Sequence, residues 1–210
     1  EFRRVLFRSS GGGSYQLSGS GNNFLNGVTV TSGSLIDMAL PGSLARVTGG
    51  MTLNGAVIVN GASLINFEGD QTLSGTGSIV FGSSASNNRI GVDGGSKTLT
   101  VASGVTIRGE NGSIGLGQLV NGSGNALVNN GTISADVAGG VIALTGLGGG
   151  ITNNGTIRAL NGGTIALQSN LTGGVGSQLV AGAGSTILQQ GVTITGIVNT
   201  SGSGSLRADG

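Results

Sequence analysis

The chain has 210 residues, of which 46 are Gly and one is Pro, with no Cys and no His, and only 8% are charged. Without Cys or His, the usual serine and cysteine triads, imidazole or thiolate zinc sites and a disulfide framework are excluded. Gly at roughly three times ordinary usage, without an every-third-residue pattern, excludes collagen; a 37% hydrophobic content and a mean hydropathy of +0.27 argue against low-complexity disorder, because disordered chains lack the apolar surface that offsets folding entropy.

Residues 1–9, Glu1-Phe2-Arg3-Arg4-Val5-Leu6-Phe7-Arg8-Ser9, back-translate to the tail of a widely used short-read sequencing adapter and are read as a scar. The competing reading, a basic signal-peptide leader, lacks its apolar stretch, since Gly11-Gly12-Gly13 follows. Setting the scar aside leaves six basic against seven acidic residues, so the formal charge of +1 carries no message about partners. Residues 10–210 are expected to form one unit, an internal piece of a longer chain cut at both ends. No apolar run approaches the roughly 18 residues that a membrane-spanning helix requires.

Strand signals follow in chain order, all short and of period two. Gly27-Val28-Thr29-Val30-Thr31 alternates apolar and hydroxyl side chains, as a half-buried strand does. Similar signals cover 56–59, 78–81, 98–101, 142–144, 164–167 and 185–188, and the phrase Gly-Val-Thr-(Val/Ile) returns at Gly104 and Gly191. None is long enough for a helix. The lone Pro, in Ala39-Leu40-Pro41-Gly42, is expected in a loop or corner, where its missing N–H does least harm.

Eight Asn-Gly pairs, beginning at Asn26, Asn54, Asn60, Asn111, Asn121, Asn130, Asn154 and Asn161, mark tight corners. Asn-Gly also marks antiparallel hairpins, so a β-meander is the alternative. Spacing decides against it. Asn129-Asn130-Gly131-Thr132-Ile133 recurs 24 residues later from Asn153, and Gly139-Gly140-Val141-Ile142-Ala143-Leu144 recurs after 23 residues from Gly162. Two motifs returning in the same order define a structural repeat that a parallel coil stacks directly. The expected fold is all-β, a parallel β-helix or β-solenoid of about 20–24 residues per coil. About 23 residues at roughly 3.3 Å each make a perimeter near 75 Å, room for three short sheets, and eight or nine coils make a rod of some 40 Å. Ile133 should lie beside Ile157, Ile142 beside Ile165, and the corner residues Asn130 and Asn154 should share a hydrogen bond.

The motifs Leu127-Val128-Asn129-Asn130-Gly131-Thr132-Ile133, Gly150-Ile151-Thr152-Asn153-Asn154-Gly155-Thr156-Ile157 and Gly162-Gly163-Thr164-Ile165-Ala166-Leu167 resemble the repeat regions of bacterial autotransporter passengers and filamentous-haemagglutinin-like exported surface proteins. The resemblance is clearest from about 105 to 167. It implies a right-handed coil, export across a Gram-negative outer membrane and a role in adhesion, aggregation or biofilm, and it transfers no site residue.

Residues that carry chemistry are few. Only Glu68-Gly69-Asp70 brings two acids close together, as a carboxylate pair for acid/base work or Ca²⁺, or as a solvated corner, the reading preferred here. Asp93-Gly94-Gly95 suggests a calcium nonapeptide repeat but has no second copy, and is read as a turn. Gly146-Leu147-Gly148-Gly149-Gly150 has neither the following helix nor the Lys of a phosphate loop. Arg46, Arg89, Lys97, Arg108, Arg158 and Arg207 are scattered without interleaved aromatics, which argues against nucleic acid. Thr-x-Thr at Thr29, Thr98 and Thr193 is too irregular for a flat ice-binding face, and the sequons at Asn111, Asn121, Asn130, Asn154 and Asn170 are read as corner asparagines. No catalytic, cofactor-binding or metal-ligating residue is assigned.

The expected function is a non-enzymatic stalk of a secreted or cell-surface bacterial adhesin, with glycans, extracellular matrix or other cell surfaces as partners. A carbohydrate-active β-helix enzyme and an inert spacer are the alternatives. Cut ends expose strand edges, so end-to-end self-association of the isolated chain is expected as well.

Overall fold

The computed structural model describes residues 12–83, 87–120 and 122–209, and contains no helix among them. The adapter-like segment 1–9 and Asn121 lie outside the described residues. Twenty-four strands wind into a β-solenoid of about eight turns, in which every strand pairing is parallel. Three stacks of strands form its sides.

Face A carries nine strands, among them Leu35–Met38, Ala56–Val59, Ser78–Phe81, Thr106–Gly109, Thr132–Ala135, Thr156–Ala159 and Gln178–Ala181. Face B continues each coil through Leu64–Glu68, Arg89–Asp93, Gly112–Leu116, Val141–Thr145, Thr164–Gln168, Thr186–Gln190 and Ser205–Asp209. Face C closes the coil through Phe24–Val30, Gln71–Gly75, Thr98–Val101, Ala126–Asn129, Gly150–Asn153, Leu171–Gly173 and Ile194–Gly196. The long strand Leu44–Leu53 belongs to two faces, its first half pairing with Leu64–Glu68 and its second with Gln71–Gly75, and so joins B and C into one 15-stranded sheet.

Alternation along each strand turns every second residue inward, and parallel stacking converts those residues into columns. On face A the column runs Ile36, Val57, Ile79, Ile107, Ile133, Ile157 and Leu179, all buried. Ile133 lies opposite Ile157 and Ile142 opposite Ile165, as the repeat requires. Pro41 sits in a turn between faces A and B.

Coil length varies more than the sequence repeat suggests. Register partners lie 21 residues apart at Leu35 and Ala56, 24 apart at Thr132 and Thr156, but 28 apart at Ser78 and Thr106 and 26 at Thr106 and Thr132. The added length falls between strands, after Phe81 and after Leu116, and the parallel register resumes at Arg89 and at Ala126.

Candidate functional site

The structure separates the two acids that the sequence brings together. Glu68 ends its strand, and Gly69, at φ 82°, turns the chain before Asp70. Glu68 receives both Nε and Nη2 of Arg46, at 2.5 and 2.9 Å, with the two side chains 12% and 25% exposed. This bidentate bond holds the Arg46 guanidinium above its ordinary pKa against the opposing effect of burial. Arg46 also lies 4.4 Å from the centroid of the Phe24 ring. Asp70 instead accepts the Thr98 backbone N–H at 2.9 Å and faces Lys97 Nζ at 3.2 Å. Those contacts, the Thr98 bond first, hold its carboxyl below the ordinary value.

The acid that does approach Glu68 is Asp93, its register partner one coil away. Asp93 is 1% exposed. Its Oδ2 accepts the backbone N–H groups of Leu119 and Val120, at 2.7 and 2.8 Å, and Asn66 Nδ2 at 3.1 Å, while Oδ1 accepts Gly94 N–H at 3.0 Å. Asn66 Nδ2 also reaches Glu68 Oε1 at 3.3 Å. A continuous polar network therefore runs from Arg46 through Glu68, Asn66 and Asp93 to the amides of Leu119 and Val120, with the Phe24 ring against Arg46 at its start. Glycine makes the approach possible: a Cβ on Gly91 would stand 2.2 Å from Asn66 Oδ1, and one on Gly117 would stand 2.6 Å from the Asp93 carboxyl carbon.

This geometry argues for a staple. Donors surround both carboxylates, so a cation would meet N–H groups and a guanidinium in place of lone pairs. Asp93, 1% exposed, is also shielded from substrate. Among the described residues no group of three or more acids gathers as a metal site. The turn reading of Asp93-Gly94-Gly95 holds for the two glycines, at φ 114° and 71°, but not for the Asp93 side chain, which is buried. The missing signal lies 25 residues from Glu68 and 26 from Leu119, visible only once the register is known.

Asparagine fills two kinds of column. Asn154 Nδ2 donates to Asn130 Oδ1 at 2.9 Å on the outer corner. One residue earlier, Asn129 and Asn153 turn inward and are fully buried; Asn129 Nδ2 donates to Asn153 Oδ1 at 2.8 Å, and Asn153 Nδ2 to Ser177 Oγ at 2.9 Å. Face C carries a hydroxyl column too, Thr72, Thr100, Thr152, Thr172 and Thr195, interrupted at Val128. The Thr-x-Thr count missed it because most coils contribute one Thr. Gly146–Gly149 forms a corner leading straight into a strand.

Searches against family models, curated proteins and solved structures find no match to this chain.

Proposed function

We propose that the chain is a stalk segment of a secreted or surface-attached bacterial adhesin, of the autotransporter or filamentous-haemagglutinin-like kind. One observation carries the reading: the same parallel register runs through three faces over about eight turns. Such a rod transmits position and resists thinning, because each coil buries its ladder only against its neighbours. Its acids are spent on internal bonds, which favours a scaffold over a polysaccharide-degrading enzyme. Adhesion, aggregation or biofilm formation then falls to its outer faces and to whatever it carries.

Recovering the coding sequence on either side tests this. A translocator barrel or a haemagglutinin-type secretion domain, with many more such coils, is the expected result. A short gene with acid-rich loops over one groove would overturn it in favour of the enzyme. The last coil adds a second proposal about the chain in isolation. Strands 194–196, 199–201 and 205–209 are outermost in their stacks, and Ile197 and Leu206 are 51% and 48% exposed there. Unpaired edges beside apolar surface favour association of the isolated chain through this end. Light scattering over a concentration series should show assembly, and a monodisperse monomer would refute it.

A further inference from the structure

On face A the column pointing away from the core reads Val80, Arg108, Ser134, Arg158 and Val180, with Ser134 itself fully buried, beside a second such column of Ser78, Thr106, Thr132, Thr156 and Gln178. The two arginines belong to the coils before and after Ser134, and both lean onto that middle coil. Arg108 Nε donates to Asp136 Oδ2 at 2.7 Å, and Arg158 Nε donates to Ser134 Oγ at 3.0 Å. Each guanidinium uses its Nε in these bonds, and among the described residues neither Nη group makes a further hydrogen bond, so both forks face the same coil from opposite sides. Arg108 is 49% exposed, whereas the Asp136 side chain is 9% exposed, so the surface presents the cation more than its partner. No acid lies within ion-pair distance of Arg158 among the described residues. Glu110, the other acid at this corner, accepts from Asn111 Nδ2 at 3.3 Å.

We propose that Arg108 and Arg158 form a clamp for an oxyanion, a carboxylate or sulfate ester, of an acidic polysaccharide lying along face A. Guanidinium forks match such groups bidentately, and the Thr106, Thr132 and Thr156 column lies beside them to meet sugar hydroxyls. The proposal deepens the adhesive reading and rests on it for the source of the ligand. An acidic peptide fits less well: these strands are paired on both edges, so peptide addition to the sheet is closed. Nucleic acid fits less well again, since no aromatic residue stands in either outward column.

The test uses the whole chain on immobilised polygalacturonate, a sulfated glycosaminoglycan and neutral dextran. The expected result is retention on at least one acidic polymer at low ionic strength, none on dextran, and release at about 1 M salt, where the Debye length falls to about 3 Å. Retention by only one acidic polymer identifies carboxylate or sulfate as the ligand. Arg108→Gln and Arg158→Gln should each weaken binding about tenfold or more, and the double variant should abolish it. Arg207→Gln, on face B, should bind as the parent does. Circular dichroism and hydrogen exchange confirm that each variant keeps the solenoid. No retention of the folded parent on either acidic polymer, or retention unchanged in the folded double variant, overturns the proposal, as does a preference for polyglutamate or DNA over both polymers. None of these results bears on whether the parent gene encodes an export domain, so the two readings fail separately.

Discussion

The coils before residue 101 and those after 126 share one register but solve the interior differently. On face C the inward column begins as Val28, Met51, Leu73 and Val101, then changes to Asn129, Asn153 and Gly173. On face A a column of Met38, Val59 and Phe81 gives way to Gly109, Ala135, Ala159 and Ala181. The first region fills its core with large, varied side chains and needs a one-off polar staple; the second repeats small apolar residues and amide ladders. Stacking alone dictates neither choice. It requires only that each inward residue fit the one above and below it.

The difference breaks most sharply at Phe81. Its ring, 1% exposed, occupies the space above Gly112, where a Cβ would stand 2.5 Å from it. Phe81→Ala should cost about 3–5 kcal/mol and loosen both neighbouring coils, whereas Ile157→Val in the regular region should cost about 1 kcal/mol. Denaturant unfolding with hydrogen exchange read coil by coil checks both values, since a repeat array need not unfold in one step. Disturbance that spreads equally far from the substituted coil in both variants would show that the two regions pack alike.

Asp93 comes next. Asp93→Ala leaves the amides of Leu119 and Val120 without their acceptor and Asn66 Nδ2 with Glu68 alone, at about 3 kcal/mol, and should free Leu119 and Val120 while sparing coils beyond 150. Amide exchange at Leu119 and Val120 should accelerate far more than at Ile151. Uniform acceleration would mean that the network supports the whole rod.

Asn153→Ala probes the opposite region. It removes the shorter of the two Asn129 Nδ2 bonds and the donor to Ser177, inside a fully buried column, at about 1–3 kcal/mol. Asn129 Oδ1 is already unpartnered where the column meets Val101, and without Asn153 its Nδ2 keeps only the longer bond to Thr156 O at 3.3 Å. Asn153→Val, which keeps bulk without an amide, sharpens the comparison. If it stabilises the rod, the apolar solution of the first region would have served equally well in the second.

Sequence legibility follows the same division. From 126 to 168 the repeat is near-exact in composition, so Ile133 over Ile157 and Asn130 beside Asn154 follow from spacing alone. Before 125 the coils run to 28 and 26 residues, and insertions at 82–88 and 117–125 destroy the fixed offset. A partner pair such as Asp93 with Leu119 then has no signature, because it is set by a register that only the folded stack supplies. The inward turn of Asn129 and Asn153 was hidden for another reason. Asparagine beside Asn-Gly reads as a corner, and only the partner Ser177 in the next coil completes the buried bond.

The smallest expected effect concerns Asp70, the half of the sequence pair that faces solvent. Its carboxyl titrates below the ordinary value of 3.8 because the folded chain offers it the Thr98 N–H first and Lys97 second. A folded pKa below the unfolded one gives a contribution that is complete above about pH 5 and is lost as pH falls through the lower folded value. An exposed pair of this kind contributes little, and salt screens it further. The prediction is therefore local: on acidification below the ordinary carboxylate range, exchange at the Thr98 amide should rise while Leu99, buried one residue later, stays protected. Asp70→Asn should flatten that pH response without moving the global midpoint. A shift of the whole unfolding transition would show that the corner between faces B and C holds more of the rod together than a solvent-screened bond can.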